Sequence, residues 1–212
     1  MMRFEPFTEK QAVLQAEALT FRRAGRLLFQ GLDFDFSAGQ LVALRGGNGV
    51  GKTSLLRLMA GLMEPFSGHL RGAGPGQLHY IAHQNGLKSR LTALDNLNFW
   101  QRWLASGQGE GMSCAQALNE AGLADRADLA AGDLSAGQKR RLSLARLLVA
   151  PRPVWLLDEP DTTLDETGQI WLAEMIAAHV KAGGLAVVAT HAPLPAANLE
   201  LHLSAQPAGV TT

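Results

Sequence analysis

Residues 46–53 read Gly-Gly-Asn-Gly-Val-Gly-Lys-Thr, a complete match to the spacing G-x-x-x-x-G-K-[ST]. In such a loop successive backbone N–H groups turn inward around an anionic oxygen. Gly46, Gly49 and Gly51 allow backbone angles that a Cβ penalises, and Gly47, Asn48 and Val50 complete the cradle. Lys52 is expected to reach the β- and γ-phosphates of a nucleotide, and the Thr53 hydroxyl to ligate Mg²⁺. Ser54 follows in a helix whose positive N-terminus faces the phosphates. A plain glycine-rich turn is the simpler reading. The flanks decide against it: Leu41–Leu44 is a short apolar strand, and Leu55, Leu56, Leu58, Met59 and Leu62 form one apolar helix face.

A second cluster stands at Val154-Trp155-Leu156-Leu157-Asp158-Glu159, an apolar strand ending in two carboxylates. Beside a phosphate loop, a strand end is where Mg²⁺ and an attacking water must sit. Asp158 is expected to hold the metal and Glu159 to orient or deprotonate the water. Between these clusters lies Leu134-Ser135-Ala136-Gly137-Gln138. Ser135 with Gln138 reads as a capping box, which needs no ligand. The same serine, glycine and helix N-terminus also make a second anion site. Lys139, Arg140 and Arg141 follow in the first turn, where cations oppose the helix dipole.

The elements that must position these groups alternate. Core strands are expected at Leu41–Leu44, Val154–Leu157 and Leu185–Ala189, with helices at Thr53–Met63, Ala136–Val149 and Glu166–Val180. This is the pattern of an α/β fold with a mostly parallel central sheet. Ala12–Leu19 and Leu27–Phe36 alternate more and read as an antiparallel side sheet. Residues 68–77 are rich in glycine and read as a loop, residues 86–133 as a mainly helical insert, and residues 204–212 as a loose tail. The whole chain is expected to be one domain.

Composition narrows the classes. The 212 residues carry 19 basic and 19 acidic side chains, which argues against broad electrostatic binding to nucleic acid or anionic lipid. Cys114 is the only cysteine, so no disulfide forms within the chain. No stretch reaches the roughly 18–20 apolar residues that cross a bilayer. Residues 1–7 lack an apolar core of signal-peptide type, so the chain is expected to stay where it is made. His79 and His83 lie about 13 Å apart along a strand, too far to chelate one ion. Phe99, Trp100 and Trp103 suit either internal packing or a docking surface. Thr92 is placed to cap their helix, and Trp171, Met175 and Ile176 read as core.

In order and spacing, the phosphate loop, Gln84, residues 134–138, Asp158–Glu159, Leu164-Asp165 and His191 resemble the nucleotide-binding subunits of ATP-binding cassette transporters. The resemblance implies an ATP-binding cassette fold of the phosphate-loop class with a helical insert, and ATP with Mg²⁺ as ligands. It also implies a head-to-tail dimer with a second cassette, in which Ser135, Gly137 and Gln138 of one chain close over nucleotide held by the other. Integral-membrane subunits would be the partners, at the cytoplasmic face of the inner membrane, with no nucleic acid. Gln84 would sense Mg²⁺ and water, Asp165 would couple the two sites, and His191 would hydrogen-bond the γ-phosphate.

The chain departs from the family in places. Ala136 replaces a glycine, and Thr162-Thr163 stands where Ser-Ala is common. Arg22-Arg23 stands near the usual aromatic for adenine stacking, so either Phe21 or an arginine takes that part. The segment between Leu70 and Gln84 is short for the family. Residues 83–88 and 91–97 are similar to the ATP-binding subunits of cytochrome c biogenesis exporters, named for haem export. That narrower resemblance implies two membrane partners and haem on a periplasmic carrier protein. The sequence has no C-x-x-C-H for covalent haem. Another cassette transporter, a soluble cassette ATPase on nucleic acid or ribosomes, and a non-catalytic regulator are the alternatives. One cassette and neutral charge speak against the soluble class, and Glu159 and His191 against the regulator.

Overall fold

The computed structural model describes residues 4–7, 13–74, 76–104, 111–194 and 196–204, and the backbone alone of 209–211. β3 (Leu41–Arg45), β5 (Leu78–Ile81), β6 (Val154–Asp158), β7 (Leu185–Ala189) and β8 (Leu199–His202) make a parallel sheet in the order β5-β6-β7-β3-β8. The last strand, β9 (Gly209–Thr211), pairs antiparallel with β8. It falls within the segment expected to be a loose tail, whose residues 205–208 and 212 lie outside the described ones.

Register decides where chemistry can collect. Leu44 of β3 and Asp158 of β6 both pair with Ala189 of β7. The three strands therefore end level, and Gly46, Glu159 and His191 leave from one edge. Strand alternation builds the two faces. Val154 and Leu156 belong to one apolar cluster with Leu55, Leu56 and the side sheet, while Trp155 and Leu157 belong to another with the helices α4 (Ala136–Val149) and α5 (Glu166–Lys181). Being covered on both faces explains why these strands read as continuous apolar runs.

The side sheet has the order β2-β1-β4, formed by β1 (Leu14–Arg23), β2 (Arg26–Phe36) and β4 (Ser67–Gly72). β4 corrects the sequence reading, which took residues 68–77 for a loop. Its glycines serve close approach instead: a Cβ on Gly68 or Gly72 would collide with the backbone of β1 or of Val13 beside it. A second correction concerns α1 (Lys52–Met59), which stops four residues before Met63. Gly61 at φ 67°, with Gly61 N–H to Leu58 O and Leu62 N–H to Arg57 O, forms a Schellman turn. The insert carries α2 (Ala93–Leu104) and α3 (Cys114–Glu120), and Thr92 Oγ1 caps α2 through the Asp95 N–H at 3.0 Å. No described helix is long and apolar enough to cross a membrane.

Two buried histidines brace the first helical layer. His79 bonds the Ala150 carbonyl at 2.6 Å, and His179 stacks on Trp155 with centroids 3.8 Å apart. Burial lowers both pKa values from 6.5 to about 3. Both rings are thus neutral in the fold, while the unfolded chain binds their protons below about pH 6.5. Stability from this source is complete above that value and falls as pH drops toward 3, by about 1.4 kcal/mol per pH unit for each histidine. Urea midpoints are expected to drop between pH 7.5 and pH 5, with a shallower drop for His79→Gln than for the wild type.

Candidate functional site

Lys52 is 7% exposed, and its Nζ donates to the carbonyls of Gly46 at 2.8 Å and Gly47 at 3.2 Å. The same Nζ lies 3.4 Å from His191 Nε2. His191 Nε2 in turn lies 3.8 Å from Glu159 Oε1. Lys52 at the start of α1 thus meets Glu159 and His191, which follow the level ends of β6 and β7. Arg45, the last residue of β3, donates to the carbonyls of Thr190 and Ala192 and so fixes the turn that carries His191. Gly47, Asn48, Gly49, Gly51, Thr53, Ser54 and Glu159 line one cavity of about 230 Å³ with Lys52, Arg23 and Leu28. Val50 is half-buried within the loop and packs under Gly46.

Glu159 sits at φ 47°, an uncommon conformation for a residue with a side chain. Its N–H is held by Ala189 O at 2.8 Å, which keeps the carboxylate at the cavity. Asp158 is 3% exposed, and Tyr80 Oη lies 3.5 Å from its carboxylate. The Asp158 carboxylate at the strand end and the Thr53 hydroxyl in the phosphate-loop cavity are oxygen donors of the kind that fit Mg²⁺, which takes one or two such oxygens and completes its shell with phosphate and water. Among the described residues no cluster of three or more His, Cys, Asp or Glu is arranged around a metal. Gln84 is exposed and makes no hydrogen bond to these groups among the described residues.

Ser135, Gly137 and Gln138 lie elsewhere. They line a separate cavity of about 340 Å³ with Arg141, Thr163 and Asp165. The capping box is present: Ser135 Oγ accepts from Gln138 N–H, and Ser135 N–H donates to Gln138 Oε1. A Cβ at Gly137 would come within 2.9 Å of Thr163 O, so the contact with the Thr163 loop requires glycine. Asp165 caps α5 through Gly168 N–H and pairs with Arg141. That pairing holds its carboxyl below the usual range.

Of the candidates for base contact, Phe21 is buried and stacked on Phe29, and the Arg22 guanidinium lies 4.1 Å over Phe66. Arg23 alone of the three faces the phosphate-loop cavity. The sequence reading missed two neighbours of Glu159. His83 Nδ1 is 3.5 Å from Glu159 Oε2, and the buried Arg140 bonds the Glu159 carbonyl at 2.7 Å. For His83 no signal pointed there; for Arg140 the signal was a cation at the wrong end of a helix.

The profile of the ABC transporter family matches residues 29–162. The chain belongs to the ABC transporter family. It is an ATP-binding subunit of that family and an ATPase. The cytochrome c biogenesis ATP-binding export protein CcmA of Rhodopseudomonas palustris (strain HaA2) is 45% identical, over 91% of this chain and 98% of that one. The protein of the same name from Nitrobacter winogradskyi is 46% identical, over 90% and 97%. A dimeric ATP-binding cassette solved in a post-hydrolysis state with ADP and phosphate shares the fold at TM-score 0.81 and 20% identity, covering 94% of this chain and 98% of that one. The ABC fold expected from the sequence, with its parallel sheet, antiparallel side sheet and helical layer, is the one observed.

Proposed function

We propose that this ABC ATPase powers an integral-membrane complex of cytochrome c biogenesis that handles haem. The identity to the CcmA proteins along nearly the whole chain carries that reading. Lys52 and the 46–53 loop hold the phosphates, and Glu159 takes the proton of the attacking water. His191 bonds the γ-phosphate. Thr53, Asp158 and, once its exposed side chain turns inward, Gln84 are the residues that would hold Mg²⁺. The ion would neutralise charge on the β- and γ-phosphates. The whole chain acts as one cassette, at the cytoplasmic face of the inner membrane, through its partners.

The two cavities support a head-to-tail dimer, because residues 134–138, the signature of the cassette, and the phosphate loop of one chain line no cavity in common among the described residues. Binding closes the dimer when each γ-phosphate bridges two chains, and hydrolysis removes the bridge. The membrane subunit docks in the groove of about 620 Å³ lined by Leu62, Trp100 and Trp103. Trp103 is 67% exposed there, while Trp100 stacks under Arg146 and reaches Gly86 beside Gln84.

The base rests against Arg23 and Leu28. Arg23→Ala should weaken ATP binding about 3- to 30-fold, the value of an exposed to desolvated guanidinium–ring contact, and leave inorganic tripolyphosphate unaffected. Equal losses for both ligands would make Arg23 a phosphate contact instead.

The pathway is tested in the source organism carrying Glu159→Gln at the native locus. Haem-stained gels should lose c-type cytochromes, while non-covalent haem proteins persist. Unchanged c-type cytochromes would discard the biogenesis assignment and leave the ATPase standing.

A further inference from the structure

Arg140 lies in the first turns of α4, five residues after the Ser135 cap, and is 2% exposed. Arginine has five N–H donors. Here the guanidinium makes five hydrogen bonds. Nε donates to Pro160 O at 3.0 Å, Nη2 to Asp158 O at 3.0 Å and Glu159 O at 2.7 Å, and Nη1 to Ala82 O at 2.9 Å and Asn85 Oδ1 at 3.2 Å. None of the five acceptors is a carboxylate.

This is a costly place for a cation. The helix dipole opposes it, and burial penalises its charge, which Asp158, Asp161 and Glu159 offset through space without bonding the guanidinium. What only the planar fork supplies is a set of directed donors that joins separate segments. One segment is the strand end with Asp158 and Glu159, where the left-handed Glu159 needs its backbone over-determined. The other is the loop whose Ala82 and Asn85 flank Gln84. Ser143, one turn along the same helix, adds a bond to Asn85 O at 2.8 Å.

We infer that Arg140 is a positioning residue for hydrolysis: it locks the Asp158–Pro160 backbone and the Gln84 loop to the signature helix, so that the three move as one body. Displacement of the signature on dimer closure is thereby delivered to the catalytic carboxylate and to Gln84 together. The inference rests on the ATPase reading above.

The test uses the tagged full chain purified with its membrane subunits, as wild type, Arg140→Gln, Gln84→Ala and the double variant, each assayed well below its melting temperature. Arg140→Gln should lower kcat, counted per nucleotide-binding site titrated in the same sample, at least about tenfold and leave ATP affinity within about threefold; counting sites removes any loss of folded protein from the comparison. Gln84→Ala added to Arg140→Gln should cost less than about twofold more, because the two act through one body. A kcat near wild type in folded Arg140→Gln overturns the inference, as does full multiplication of the two losses. Should Arg140→Gln not fold, Arg140→Lys, which keeps the charge and fewer bonds, goes through the same cycle under the same criteria. A wild-type complex without ATP turnover overturns the parent reading, whereas turnover unaffected by Arg140→Gln overturns this inference alone.

Discussion

Glu159→Gln is expected to bind MgATP as tightly as the wild-type chain and to turn it over roughly 10²–10⁴-fold more slowly, the range for removing a positioned base. The amide has the shape of the carboxylate, so the backbone bonds from Ala189 and Arg140 persist. What disappears is the acceptor for the proton of water. The contacts of Lys52 with the loop do not involve Glu159, so affinity is unaffected. Phosphate release and binding of a fluorescent nucleotide measure the two quantities separately. Turnover within threefold of wild type would remove Glu159 from the assigned role.

The second large effect belongs to Lys52. Lys52→Ala should weaken MgATP binding about 10- to 150-fold, corresponding to about 1.5–3 kcal/mol for a hydrogen bond to a charged group. The ammonium is buried at the foot of the loop and, among the described residues, bonded only to carbonyls of Gly46 and Gly47, with His191 beside it. Those bonds are exchangeable for phosphate oxygens, and the fold loses little without them. Lys52→Arg should not restore affinity, since a planar fork does not fit a site built for a compact ammonium. Calorimetric titration with MgATP checks both variants; wild-type affinity in Lys52→Ala would break the assignment of the loop.

What the sequence made legible follows from how local each signal was. β3, β6 and β7 were readable because strands covered on both faces are apolar throughout. α4 runs over the residues expected, since a capping box opens it and Pro151 follows its end. The end of α1 was misplaced because Leu62 continues the apolar pattern, while the chain turns at Gly61 and leaves Leu62 63% exposed. β4 was invisible because its glycines answer to the backbone of β1, a tertiary demand. The choice among Phe21, Arg22 and Arg23 was unreadable for a related reason. β1 shifts register between Leu19 and Phe21 and again between Phe21 and Arg22, so counting alternate residues does not tell which side chain faces the phosphate loop. Arg140 was given no role because its acceptors come from segments far apart in sequence, which no motif records.

The most direct test is to purify the tagged chain in detergent from its native membranes, identify what co-elutes by mass spectrometry, and assay that material for MgATP hydrolysis. The account predicts integral-membrane proteins of cytochrome c maturation in the eluate and ATP turnover that Glu159→Gln abolishes. An eluate without membrane subunits, carrying nucleic acid or ribosomes instead, would contradict it.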